Sequence, residues 1–226
     1  MKLHLDPCST TCRGIVLLAA EHGLPLEQQP LNLLAGEHLT EAFAAINPNR
    51  AVPVLEDGEL RLTEGSAILK YLADKAGLAG AYPTGPAARA RVNALMDWFN
   101  TGFYREFGYG LVYSQVLRDQ YGWADPAIQA AALARAQQRA ERLLTVLDRH
   151  YLGDDGPYLG GAEPNLADYM GAAYASIGTL IDFDFTPWPR VTRWMAAMQA
   201  RPHWAAANAP LYAWRDFIRS SAQVAA

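Results

Sequence analysis

The sequence is poor in cysteine and in charge, and both shortages narrow the class of protein. Only two of the 226 residues are cysteines, Cys8 and Cys12, which argues against a disulfide framework and for a reducing, cytoplasmic compartment. Charged residues make up 19%, with 19 basic and 23 acidic side chains and no Lys/Arg run, so we expect no nucleic-acid partner. The five histidines are scattered without a metal spacing, so we expect no metal site.

Long hydrophobic runs are also missing. Apolar stretches such as residues 14–20 are far shorter than a membrane span, and the opening MKLHLDP lacks the apolar segment of a signal peptide. We therefore expect no membrane partner. Apolar residues are nevertheless abundant, because 51% of the chain is hydrophobic, which is enough for one large or two modest domains.

The most informative stretch is NPNRAVPVLEDGELRLTEGSAILKYLADK, residues 47–75. Its segment VPVL has strand composition, but Pro53 cannot donate to a β ladder, which confines it to a strand start, an edge or a bulge. A cis bond between Val52 and Pro53 would aim the N–H and C=O groups of Val52 outward, where an extended ligand could pair with them. This strand therefore predicts a site for a peptide backbone.

A helix start follows, and its residues suit the head of an amino acid. The turn Glu64-Gly65-Ser66 is predicted to open a helix, so its free amides and the Ser66 hydroxyl attract a carboxylate. Gly65 lets a ligand come close, and the Glu64 carboxylate can pair with an ammonium group. The alternative to a binding site is that one residue only caps the helix and that Glu64 only interacts favourably with the positive end of the helix dipole.

The pattern along the chain predicts two domains and a linker. Domain boundaries are expected at 1–77 for an α/β domain, 78–86 for a Gly/Pro/Ala-rich linker and 87–226 for an all-α domain. The first domain has the predicted order strand 2–6, helix 11–22, strand 26–31, helix 40–45, two strands around the hairpin Asp57-Gly58, and a helix capped by Thr63. In the second, a long helix over 87–121 is expected to kink at Gly108 and Gly110.

The segment VPVLEDGELRLTEGSAILKYLADK resembles the glutathione-binding segment of the cytosolic glutathione S-transferases, with a bacterial theta-like character. The resemblance implies that Val52, Pro53, Glu64, Gly65 and Ser66 bind glutathione, although most classes of the family have Ser where Gly65 stands. It also implies a thioredoxin-like N-terminal domain, an all-α C-terminal domain, a homodimer, and an enzyme that uses glutathione as a co-substrate with no other cofactor.

A second group must hold the glycine carboxylate of glutathione. His38, within Gly36-Glu37-His38-Leu39, resembles the theta-class residue that does so, and it can donate a hydrogen bond whether neutral or charged. Arg50 is the alternative, because the Lys that theta-like chains carry before this Val-Pro pair is Ala51 here.

Glutathione chemistry also needs a group that lowers the pKa of the thiol. A hydroxyl at the first helix start can donate a hydrogen bond to a sulfur anion, and Ser9, Thr10 and Thr11 all qualify chemically. The resemblance selects Ser9, because the theta class places its activating Ser in the pattern S-x-x-C-R, to which residues 9–13 are similar. The structural alternative is a Ser9 that only caps the helix.

Cys8 carries a rival chemistry. At a helix N-terminus its pKa could be depressed, and it could form a mixed disulfide with glutathione in a glutaredoxin-like thiol transferase. Because Thr11 stands at the C-x-x-C spacing, this chemistry would be monothiol. A third hypothesis is a non-catalytic binding protein on the same fold.

The second substrate, a small hydrophobic electrophile, is expected between the domains against the long helix. Tyr104 is predicted to line its pocket, with Tyr212 or Trp214 as a lid. Asp168, in Asn165-x-x-Asp168, resembles the N-capping box of the family and is assigned no chemistry.

Overall fold

The N-terminal part of the chain is a four-stranded sheet flanked by helices. The structure is a computed structural model that describes residues 1–154 and 156–224, so residues 225 and 226 of the predicted helical domain lie outside the described part. The strands are β1 (Lys2–Leu5), β2 (Glu27–Pro30), β3 (Val54–Asp57) and β4 (Leu60–Thr63). The helices of this part are α1 (Thr10–Glu21), a 3-10 turn (Glu37–Leu39), α2 (Glu41–Ala44) and α3 (Gly65–Lys75).

The sheet has the spatial order β2-β1-β3-β4. Strand β1 runs parallel to β2 and antiparallel to β3, which pairs antiparallel with β4. The parallel pair needs a crossover, which α1 supplies by packing its buried face, including Ile15 and Leu18, over the sheet. The predicted order β-α-β-α-β-β-α and the thioredoxin-like fold are confirmed.

The start of α3 differs from the prediction. Thr63 does not cap the helix, because it pairs with Val54 as the last residue of the β3–β4 ladder and is therefore extended. Glu64 takes the N-cap position instead, with φ at 69° and ψ at 115°, and its side chain makes no capping bond. Because this conformation is costly for a residue with a Cβ, Glu64 is held in it by its surroundings.

The C-terminal part is helical. Its elements are α4 (Pro86–Asp97) with a π-helical continuation (Trp98–Tyr113), α5 (Ser114–Val116), α6 (Arg118–Tyr121), α7 (Pro126–Val146) with a π-helical turn (Leu147–Tyr151), α8 (Leu166–Ser176) with a 3-10 turn (Ile177–Ile181), α9 (Pro189–Gln199) and α10 (Trp204–Val224). None of the helices in the described residues is long and apolar enough to cross a membrane.

The predicted long helix is interrupted at a different residue from those expected. The helical run continues through Gly108 and Gly110 and first leaves the helical conformation at Leu117, whose φ is −122°. Gly108 serves packing instead, because a Cβ there would lie 2.4 Å from the ring of Tyr104. The smaller side chain lets that ring lie against the helix backbone.

The two parts share one continuous core, and α1 packs directly on α8. A Cβ on Gly14 would lie 2.7 Å from the backbone oxygen of Tyr169, so this glycine brings the two helices together. The capping box of α8 is present as expected, since the Asn165 N–H donates to Asp168 at 2.8 Å. Asp168 also accepts from the indole of Trp194 at 2.8 Å and is fully buried.

Candidate active site between the two domains

A cavity of about 1390 Å³ lies between the sheet domain and the helical domain. It brings together most of the site residues predicted from the sequence, which are Ser9, His38, Val52, Pro53, Glu64, Gly65 and Tyr104. Ser66 is partly buried as the second residue of α3 and is not among the residues that line this cavity. Cys8 and Arg50, the two alternatives, also line it.

The floor of the cavity is the segment before β3, and its peptide bond between Val52 and Pro53 is cis, as predicted. The buried Asn47 shapes this segment, because its amide donates to the backbone oxygen of Ala51 at 2.7 Å. The carbonyl oxygen of Val52 accepts one weak bond, from the Thr11 hydroxyl at 3.5 Å. Val52 therefore presents a nearly free acceptor to the cavity.

The first turn of α3 forms one end of the cavity. Its backbone N–H groups precede the first helical bond, which Ile68 makes to the carbonyl of Glu64, so they are available to a carboxylate. The sequence predicts that Gly65 lets a ligand come close, and the structure adds a packing role. A Cβ on Gly65 would lie 3.0 Å from the carbonyl oxygen of Thr11. The absent side chain faces α1, so Gly65 lets the two helix starts touch.

The three hydroxyls at the start of α1 lie in different environments. Thr10 is buried and hydrogen-bonds the phenol of Tyr113, so its hydroxyl is not available in the cavity. Ser9 and Thr11 both line the cavity, and their hydroxyl oxygens are 3.1 Å apart. Ser9 occupies the N-cap position, but its side chain makes no capping bond. Its hydroxyl is therefore not committed to the helix backbone, and its hydrogen-bond partner is the hydroxyl of Thr11.

The thiol of Cys8 is held in its neutral form. Burial and the nearby Asp6 carboxylate raise its pKa, against the smaller opposite effect of the Arg13 guanidinium. Its Sγ atom donates to the carbonyl of Pro210 at 3.4 Å. A thiol that must attack or be attacked as a thiolate needs a lowered pKa, so these surroundings argue against thiol chemistry at Cys8.

His38 and Arg50 differ in how far their donors are already occupied. The Arg50 guanidinium donates to the backbone oxygen of Leu39 at 2.6 Å and pairs with Glu41 at 2.5 Å. The ring atom Nδ1 of His38, by contrast, is buried without a hydrogen-bond partner among the described residues. Of the two candidates for a ligand carboxylate, Arg50 is therefore the one already engaged by protein groups.

Aromatic side chains from the helical domain form the opposite wall. Tyr104 is 7% exposed and stacks on Tyr174 at 4.3 Å between ring centroids, with Tyr109 at 4.8 Å on the other side. Of the two predicted lid residues, Trp214 lines the cavity, whereas the Tyr212 hydroxyl accepts from the indole of Trp204 at 2.8 Å.

Several residues of this cavity were not predicted as site residues. They are Thr11 as a neighbour of Val52, together with Asn100, Tyr121, Tyr174 and Phe217. Their positions depend on how the two domains pack, and no local sequence signal marks them. No group of three or more His, Cys, Asp or Glu side chains that could hold a metal ion occurs among the residues the structure describes.

The sequence is similar to known enzymes along most of its length. Residues 5–74 match the family described as Glutathione S-transferase, N-terminal domain. Glutathione S-transferase theta-2 of Homo sapiens is 32% identical over 202 residues, which cover 88% of this chain and 81% of that protein. Glutathione S-transferase theta-1 of Bos taurus is 35% identical over 171 residues, covering 75% of this chain and 70% of that protein.

The fold is similar to solved structures of the same group. Human glutathione transferase theta-2, solved in complex with glutathione and an unknown ligand, has a TM-score of 0.84 at 26% identity, over 97% of this chain and 90% of that one. These similarities agree with the thioredoxin-like sheet domain and the helical C-terminal part. The chain belongs to the glutathione S-transferase family and is a glutathione transferase.

Proposed function

We propose that the Ser9 hydroxyl activates the thiol of glutathione, and that the resulting thiolate attacks a small hydrophobic electrophile. The observation that carries this assignment is the Ser9 side chain, which lines the cavity at the start of α1 without capping the helix. Ordinary thiols have a pKa of about 8.5, so few are ionised at pH 7. A hydroxyl donor and the positive end of the α1 dipole both favour the sulfur anion.

Glutathione would lie extended over the segment before β3. Its cysteine backbone would pair with Val52, whose carbonyl accepts only the weak bond from Thr11. The γ-glutamyl carboxylate would bind the amides of the first turn of α3, and its ammonium would face Glu64, which lines the cavity. His38, which lines the cavity, would donate to the glycine carboxylate at the other end.

The electrophile would bind against Tyr104 and the aromatic wall. When it carries a halide, the sulfur–carbon bond forms while the carbon–halogen bond breaks and the halide leaves with the electron pair. The thiol proton passes to solvent before the attack. We also propose that the enzyme is a homodimer, as the family resemblance implies, and that it is cytoplasmic, since both cysteines are free thiols.

The variants S9A and C8S test the assignment. With an aryl halide as electrophile, S9A should lower kcat by about 100-fold, the usual cost of removing one donor to a reacting anion. The pKa of the bound thiol, followed by ultraviolet absorption of the thiolate, should rise in S9A. C8S should leave both quantities unchanged. Unchanged conjugation in C8S together with loss of glutathione-dependent disulfide reduction would instead identify the thiol-transferase alternative.

A further inference from the structure

Three oxygen atoms form a short hydrogen-bonded row on the cavity wall. The Ser9 hydroxyl oxygen lies 3.1 Å from that of Thr11, which lies 3.5 Å from the carbonyl oxygen of Val52. All three residues line the cavity. The row therefore connects the residue proposed to activate the thiol with the carbonyl proposed to bind the peptide.

Counting hydrogens fixes the direction of both bonds. A carbonyl oxygen cannot donate, so the single hydroxyl hydrogen of Thr11 is directed to Val52. In the bond between Ser9 and Thr11, Ser9 must then be the donor. In the absence of a ligand, the hydrogen that Ser9 would offer to a sulfur atom is directed to Thr11 instead.

We propose that Thr11 is a positioning residue that couples peptide binding at Val52 to the activity of Ser9. The proposal rests on the proposed function. When the cysteine N–H of glutathione donates to the Val52 carbonyl, it competes with the Thr11 hydroxyl for that oxygen and weakens a bond that is already long at 3.5 Å, so the hydroxyl turns away. Thr11 then donates to Ser9, and the Ser9 hydrogen turns to the sulfur.

The exchange strengthens Ser9 as a donor as well as releasing it. A hydroxyl that accepts a hydrogen bond is polarised and donates more strongly, an effect that is larger away from bulk water. The position of Thr11 is fixed by close packing of its backbone against Gly65. A Cβ built on Gly65 would lie 3.0 Å from the carbonyl oxygen of Thr11 and 3.6 Å from its Cβ. Only the side-chain hydroxyl of Thr11 has to rotate.

A thermodynamic cycle tests this coupling. The two ligands are glutathione and its ester analogue, in which the cysteine N–H is replaced by an ester oxygen that cannot donate to Val52. The proteins are the wild type, T11V and T11S. The measured quantity is the pKa of the bound thiol, from thiolate absorption, relative to the pKa of the same compound free in solution.

The wild type should bind the ester analogue with a thiol pKa about 1 unit higher than that of bound glutathione, the value of one ordinary hydrogen bond. T11V removes the acceptor that holds the Ser9 hydrogen, so only the polarisation of Ser9 by Thr11 is lost and the thiol pKa of bound glutathione should rise by clearly less than in the wild type with the ester analogue. The ester analogue should cause no further rise in T11V. T11S retains the hydroxyl and should behave as the wild type. Thermal unfolding of T11V identifies any loss of fold.

Two results would overturn the proposal. One is an ester analogue whose bound thiol has the same pKa in the wild type as that of bound glutathione. The other is an effect of the ester analogue that is equally large in T11V and in the wild type, since Thr11 would then act independently of Val52. Failure of the proposed function looks different, because S9A would then leave the thiol pKa of the bound glutathione unchanged.

Discussion

The missing side chain of Gly65 makes room for the backbone of Thr11. A Cβ at residue 65 would approach the Thr11 carbonyl oxygen to 3.0 Å, a tight contact that requires one of the two helix starts to give by a few tenths of an ångström. The start of α1 carries Ser9, and the start of α3 carries the amides proposed for the γ-glutamyl carboxylate. Their spacing therefore depends on a residue that has no side chain.

Replacing Gly65 by Ala should separate these two helix starts. We expect G65A to lose about 1–2 kcal/mol of unfolding free energy through overpacking and to bind glutathione less tightly. Denaturant unfolding and the KM for glutathione measure the two effects. The matched control is G102A, since Gly102 is also helical and has no atom within 4 Å of its Cβ position. Equal behaviour of the two variants would contradict the role given to Gly65.

Because the backbone of Glu64 is strained, we expect a substitution there to affect the free energy of unfolding and the binding of glutathione in opposite directions. Its φ of 69° costs a residue with a Cβ about 1 kcal/mol or more, and glycine removes that cost. E64G should therefore be at least as stable as the wild type, yet bind glutathione weakly because it lacks the carboxylate for the ammonium group. E64Q keeps the backbone strain and loses the charge, so it should weaken binding without any gain in stability. A destabilised E64G, measured by thermal unfolding, would count against this account.

His38 and Arg50 can be separated by kinetics. H38A should raise the KM for glutathione by about tenfold, the value of one charge-assisted hydrogen bond, with little change in kcat. R50A should have a smaller effect on KM, because its guanidinium already binds the Leu39 backbone and Glu41. The opposite order of the two KM values would assign the glycine carboxylate to Arg50.

The sequence predicted the parts of the site that depend on local chemistry. The Val52-Pro53 bond and the Asp57-Gly58 hairpin follow from the conformational preferences of a few neighbouring residues. The contacts of Thr11 could not be predicted, because its partner Val52 lies 41 residues away. For the same reason Tyr174 was missed. Thr63 was wrongly placed as a cap because β4 extends to Thr63, which pairs with Val54, and the N-cap position falls one residue later, at Glu64.

The aromatic wall predicts a selective effect on the second substrate. Tyr104 stacks on Tyr174, so Y104A should leave a cavity and lower kcat/KM for aromatic electrophiles several-fold. The KM for glutathione should not change, because the proposed glutathione residues lie on the opposite wall. Y104F keeps the ring and is the control for stacking. An equal rise of the KM for glutathione in Y104A would show that Tyr104 does not serve the electrophile alone.

We expect the buried Asp168 carboxyl to make part of the free energy of unfolding depend on pH. Burial raises the pKa of this carboxyl to about 6, against the opposing effect of the N–H groups of Leu159, Asn165 and Trp194. Because the folded-state pKa lies above the ordinary value of about 4, the protonated form is favoured by folding. The contribution of Asp168 is therefore fully present below pH 4 and is lost as the pH rises through about 6.

The variant D168N isolates this contribution. Asn cannot ionise, so the difference in unfolding free energy between the wild type and D168N should narrow by about 2 kcal/mol between pH 4 and pH 7. Denaturant titrations at several pH values measure it. D184N is the control, because Thr186 donates to Asp184 and lowers its pKa, which places its titration below this range and keeps its difference constant. A difference for D168N that stays constant or widens as the pH rises would mean that Asp168 is buried in its ionised form.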